Sequence, residues 1–277
     1  QAGIDQAGIF LAHKQINWDA LYEANRANNE AGQSAAYLLY EDRTDDKIWT
    51  ANTVLNSQLA DNINMNAGAT FRRLKSHNFA SILDMLGANY FKDVDNFQHG
   101  DEAEADLNNP QRIVGEGDTF SYNYNLLANT FDAFTQLKFT YKKVDFYLAE
   151  SFTRTQYQRE GLYKNGLYPT NSFGKSDKYI FENFGFKGGL TYKISGKQFL
   201  AVNGAYMTKA PTMRNLFPNV RINDNVVADI KSENITSADV SYIIKAPKFK
   251  SRLTAYWSNI KNATETSFYF GEGIFEN

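Results

Sequence analysis

The sequence of 277 residues contains no cysteine, which excludes disulfides, thiolate catalysis and cysteine-ligated metals. Histidine is nearly as scarce. His13, His77 and His99 are the only three, all in expected loops and none spaced as a metal-binding pair. No G-x-S-x-G elbow marks a nucleophile, so no enzyme, metal site or cofactor is expected. No run of about eighteen apolar residues occurs, which excludes a transmembrane helix. The net charge of −2 gives no basic footprint for nucleic acid. Gln1 opens no charged segment followed by an apolar core, so no signal peptide is expected there.

What the chain does have is aromatic residues, 17 Tyr and 21 Phe, at a mean hydropathy of only −0.50. They fall in alternating segments. Between Asn62 and Arg72, Ile63, Met65, Ala67, Ala69 and Phe71 share one face, while Asn62, Asn64, Asn66, Thr70 and Arg72 share the other. The pattern recurs over 47–56, with Trp49, Ala51 and Leu55 against Asn52. It recurs over 131–142, with Phe131, Leu137 and Phe139 against Asp132 and Lys138, and over 144–152, with Phe146, Leu148 and Phe152 against Asp145 and Ser151. Later segments are 183–192, 200–206, 237–244 and 252–258, the last with Leu253 and Trp257 against Arg252 and Thr254. Connections alternate in length. Those near 58–61, Lys142, Gly196 and Pro247 are tight, whereas 75–118, 160–177 and 208–233 are far longer than hairpin loops. Long strands, alternating faces and segregated loops together predict an all-β antiparallel transmembrane β-barrel with short periplasmic turns and long extracellular loops. One face suits lipid; Asn52, Asn64, Asn66, Lys138, Arg252 and Thr254 are placed on the other, facing the lumen.

Two helices are expected. Ile16–Tyr22 predicts a short one with Trp18, Leu21 and Tyr22 packed on a neighbour. A second is predicted from Asn78 as cap, through Ile82, Met85 and Leu86, to Gly87 as the stop. The acidic stretch Asp93, Asp95, Asp101, Glu102, Glu104 and Asp106 begins like a calcium loop but lacks its glycine at the sixth position, so a solvated acidic face is expected.

The run Tyr206-Met-Thr-Lys-Ala-Pro-Thr-Met-Arg-Asn-Leu-Phe217, followed by Ile230-Lys-Ser-Glu233 and Asp239-Val-Ser-Tyr242, resembles the late-barrel signature of TonB-dependent outer-membrane receptors. Segments 86–95 and 108–117 resemble an extracellular loop of that family, and Asn171-Ser-Phe-Gly-Lys175 and Lys187-Gly-Gly-Leu-Thr-Tyr192 add to the likeness. The resemblance implies a barrel of about 22 strands around an N-terminal plug, set in the outer-membrane lipid of a Gram-negative cell. It also implies active import of a scarce ligand such as a siderophore, cobalamin or a glycan, driven by the TonB protein through the plug. With about ten strand candidates and no plug-like segment, the chain reads as a fragment of the receptor's barrel domain over 1–277, with 1–34 and 75–118 as extracellular loops. In such receptors ligands meet loop tips and the upper lumen, which nominates Tyr90, Phe91, Tyr163, Tyr168 and Arg214 as ligand-binding residues. The alternative is a soluble all-β module binding a ligand or carbohydrate through exposed aromatics.

Overall fold

The computed structural model describes residues 15–266. In chain order its elements are α1 (Trp18–Glu30), β1 (Leu39–Ala60), β2 (Ile63–Asp84), β3 (Phe91–Lys92), a 3-10 turn (Gly100–Ala103), β4 (Ile113–Val114), β5 (Thr119–Thr140), β6 (Val144–Gly161) and β7 (Gly174–Lys175). There follow β8 (Tyr179–Lys193), β9 (Gln198–Lys209), α2 (Met213–Leu216), β10 (Glu233–Lys245) and β11 (Lys250–Lys261). Eight long strands form one sheet in the order β1-β2-β5-β6-β8-β9-β10-β11, β7 pairs with β6, and β3 with β4 forms a separate pair. Against about ten strand candidates expected, the described residues form eight long strands and three of two residues each. The sheet is not closed among the described residues; β1 and β11 are its two ends. All four expected tight connections are present, the shortest being Asp61-Asn62.

Two compact units divide the chain. The second comprises Asp46–Ser76, Asn125–Glu160 and the chain from Gly174 onward, and its register fixes which residues share a face. Val144, Tyr192, Leu200, Tyr242 and Leu253 stand in one row across β6, β8, β9, β10 and β11, and Phe146, Leu190, Val202, Val240 and Ala255 in the next of that face. Leu148, Gly188, Gly204, Ala238 and Trp257 form a third row. On β5, Phe139 stacks on Phe146 at 4.5 Å and carries the face one strand further. The opposite face holds Asp145, Thr191, Ala201, Ser241 and Thr254 in one row and Tyr147, Gly189, Asn203, Asp239 and Tyr256 in another.

These two faces are buried the wrong way round for a protein in water. Phe184, Phe186, Leu190, Val202, Val240 and Leu253 on the apolar face are 37% or more exposed, with Leu253 at 75%, whereas Ser241 and Asn183 on the polar face are fully buried or nearly so. Several polar-face side chains pair with one another, while the buried Asn183 amide has no hydrogen-bond partner among the described residues. Asn203 Nδ2 donates to Asp239 Oδ1 at 3.0 Å, Arg252 Nη2 to Ser241 Oγ at 3.0 Å and Thr153 Oγ1 to Asp132 Oδ1 at 2.7 Å, and Lys193 Nζ pairs with Asp145 at 2.6 Å. Glycine fits these side chains in: a Cβ at Gly189 would stand 2.2 Å from Asn203 Oδ1.

The first unit takes in the chain up to Asp45, His77–Tyr124 and Gly161–Phe173. Helix α1 starts where the Asn17 side chain accepts from Ala20 N at 3.2 Å and gives way at Gly32, whose φ of +68° suits glycine. It continues past the expected end at Tyr22 to Glu30. Its second half has no apolar stripe to announce it and is held instead by asparagines. Asn25 is fully buried. Its Nδ2 donates to the carbonyls of Tyr37, Met85 and Leu86 at 2.8–3.1 Å, and its Oδ1 accepts from Ala36 N and Tyr37 N. Tyr22 lies against Gly87 as a packed ring, while Trp18 is 44% exposed and not buried as expected.

The helix expected from Asn78 does not form. Strand β2 runs through to Asp84, with Phe79, Ala80, Ser81 and Ile82 all buried. A strand covered on both faces loses its alternation, and Ile82, Met85 and Leu86 then imitate helical spacing. The backbone of Ile82 instead pairs with Asp118 and Gly117. His77 is likewise in β2 and not in a loop; its Nε2 lies 2.7 Å from Asn123 Oδ1 and its ring stacks on Phe79. His13 lies outside the described residues.

Candidate functional site

The long connections of the first unit build a folded assembly from local polar chemistry. The acidic stretch is only half solvated: Asp95, Asp101 and Glu102 are exposed, but Asp93, Glu104 and Asp106 are buried. The buried three turn to backbone N–H groups. Asp93 Oδ1 accepts from Ser121 N at 2.8 Å, Glu104 Oε2 from Gln111 N at 2.8 Å, and Asp106 Oδ1 from Asn108 N at 3.1 Å and Lys164 N at 2.9 Å. Glu104 and Asp106 thereby pin loop backbone that has no sheet partner, and Asp93 holds the start of β5. Gly166 allows the closest approach, since a Cβ there would overlap the Asp101 carbonyl. Among the described residues no three Asp, Glu or His side chains are placed to hold one metal ion.

Arg112 is the cation within this cluster. Its guanidinium donates to Tyr163 Oη and the Thr119 carbonyl and lies over the Tyr163 ring, 5.1 Å from its centre. Burial pushes the Asp93 carboxyl above the usual carboxylate range, against the opposing pull of the Ser121 N–H and Arg112, with Asp106 and Glu104 adding to the upward push. Burial likewise raises the Tyr163 hydroxyl, which the Arg112 bond offsets in part. On the solvent side of the acidic stretch is a cavity of about 420 Å³ lined by Lys92, Asp95, Gln98, His99, Asp101 and Gln111 among others. Its lining can hydrogen-bond a polar molecule.

The nominated ligand residues fall in both units. Tyr90 donates its hydroxyl to the Gly32 carbonyl at 2.9 Å, and Phe91 meets Phe120 edge to face at 5.7 Å, so both rings brace the assembly. Tyr163 does the same through Thr119, at 2.9 Å. Tyr168 is half-buried in a turn made by its own backbone with Asn165 and Asn171. Arg214 belongs to the second unit, exposed on α2, which Thr212 caps through its side chain and from which Leu216 and Phe217 turn inward. Phe217 meets Tyr179 edge to face, and Arg159, 2% exposed, donates from Nε to the Val220 carbonyl at 2.7 Å, tying the 210–232 connection to β6 and β8. Asn25 and Arg159 carried no signal in the sequence, since their partners lie about sixty residues away; Arg112 fell within the segment resembling a receptor loop.

No protein-family model and no curated protein matches the chain. Among solved structures it is similar to the copper transporter OprC, with a TM-score of 0.55 and 12% identity over 80% of this chain. The chain spans 32% of that transporter's length. At that identity the likeness shows the fold alone: an all-β antiparallel sheet like part of that transporter's.

Proposed function

We propose that this chain forms part of the barrel wall of an outer-membrane receptor of the TonB-dependent kind, which binds a scarce ligand at its outer loops and imports it. The observation carrying this reading is the inverted sheet, whose apolar side chains are exposed across six strands while its buried side chains, Ser241 and Asn183 among them, are on the polar face. Water would penalise such a sheet, and a bilayer favours it. Along β6 this face carries Val144, Phe146, Leu148 and Phe152, interrupted by Glu150, and meets the Arg154–Glu182 ion pair, 3.6 Å. At a rise of about 3.4 Å per residue and a tilt of about 40°, Val144 to Arg154 covers roughly 26 Å of height, close to the apolar band of an outer-membrane barrel. Aromatics stand near both margins, with Tyr141, Tyr192 and Tyr242 toward the tight turns and Phe152, Phe184 and Tyr206 toward the long connections.

A sheet with free edges is not viable in hydrocarbon, so further strands are expected beside β1 and β11 in the assembled receptor. TonB would act through a plug inside that barrel. On this reading the long connections lie outside the cell, and Tyr90, Phe91, Tyr163 and Tyr168 of the first unit and, separately, Arg214 of the second are the nominated ligand contacts. Detergent partitioning tests the wall reading. The purified chain should require detergent to stay dispersed; a monodisperse, detergent-free chain would instead favour the soluble binding module.

A further inference from the structure

The 210–232 connection folds back over the polar face of the sheet. Register puts Tyr157, Tyr179 and Asn183 on that face, in line with Asp145 and Thr153. Phe217 of the connection meets Tyr179 edge to face at 5.6 Å, and Pro211, Leu216 and Phe217 are all fully buried. From β6, Arg159 bonds through Nε to the Val220 carbonyl. Along β6 and β8 the polar face is open in its middle, where Lys187 is exposed, and closed toward the connection, where Thr155, Arg159 and Asn183 are buried. The connection also bonds to itself, Val227 N to the Leu216 carbonyl at 3.1 Å and Asn223 N to the Asn219 carbonyl at 3.2 Å. Bonds of that kind survive when such a segment moves as one piece.

Opposing contributions meet at this contact. Burial of Pro211, Leu216 and Phe217 and the Arg159 bond hold the connection down. Against them stands Asn183, whose Nδ2 and Oδ1 are both buried and both unpaired among the described residues. A donor and an acceptor left so each carry an uncompensated desolvation cost, and water would satisfy both if the cover lifted. We propose that 210–232 is a strap with two positions, closed over the polar face and lifted from it, with Arg159 as its latch and the Asn183 amide as the group that favours lifting. This rests on the reading of the sheet as a barrel wall. The polar face then lines the passage, the closed strap narrows its outer mouth, and an imported ligand passes when the strap is lifted.

The test is amide hydrogen exchange on the full chain in detergent micelles. Strap amides such as Phe217, Asn223 and Val227 should exchange at least about tenfold faster than those of β8, β9 and β10, through an opening that leaves the sheet intact. Arg159→Ala should raise strap exchange by about tenfold. Asn183→Leu, an apolar near-isostere, should lower it by about tenfold, the effect of one unpaired buried polar group. A second measurement does not depend on those variants. Thr155→Cys, the sole thiol in the chain, should react slowly with a water-soluble maleimide, and at the rate of an exposed cysteine once 213–227 is replaced by a short glycine-serine linker. Strap amides that open only together with the strands, an Asn183→Leu strap that opens as often as the wild type, or a thiol still inert without the strap overturns the proposal. Detergent dependence separates the failures: a chain needing no detergent removes the barrel reading itself, whereas a detergent-dependent chain with any of those results removes only this inference.

Discussion

Asp93 shows how a single residue shapes the loop assembly. Its folded carboxyl is raised above the unfolded value of 3.8, chiefly by burial, so the folded state holds a proton that the unfolded chain releases. The stability it contributes is present below the unfolded pKa and is lost as pH rises through the folded one. Asp93→Asn keeps an Oδ1 acceptor for Ser121 N and removes the buried charge. It should raise the thermal midpoint of the chain at about pH 8 and leave it unchanged near pH 4; a variant equally or less stable at the higher pH would contradict this account. At this scale the sequence was least legible. Asp93, Glu104 and Asp106 looked like part of a solvated cluster because composition cannot tell a carboxylate facing water from one capping backbone N–H groups. Asn25 had no motif at all, since its partners at Met85 and Leu86 come together only in the fold.

At the scale of the element, alternation proved a reliable guide across β6, β8, β9, β10 and β11. Leu190, Val202 and Val240 share a row as their sequence parity requires, and the polar set containing Arg252 and Thr254 bonds to Ser241 on the other side. The guide failed at Phe79–Ile82, where both faces are buried and period two disappears, and in the second half of α1, where asparagine bonds take the place of an apolar stripe. The strands invite a comparison of substitutions. Leu190 is 44% exposed, so in water Leu190→Arg would change stability by no more than about 0.5 kcal/mol. In a bilayer it should cost about 2–4 kcal/mol, while Ser258→Arg on the polar face stays near zero. Denaturant unfolding from lipid vesicles measures both, and similar effects at the two positions would contradict a lipid-facing β8.

For the whole molecule, the ladder of eight antiparallel strands with alternating tight and long connections was visible in the sequence, because strand period and loop length are local properties. Which long connections fold into compact structure was not, because contacts such as Arg159 with Val220 join distant segments. The central claim is that one face of this sheet meets lipid. The absence of cysteine makes a direct measurement available, since any introduced cysteine can be spin-labelled uniquely. Labels at Phe184, Phe186 and Leu190, in the chain reconstituted into bilayers, should be accessible to oxygen and shielded from a water-soluble nickel chelate. Labels at Lys187 and Thr191 should show the reverse. Period-two oxygen accessibility along β8 is the predicted result, and equal accessibility to the chelate at both sets of positions would contradict the account.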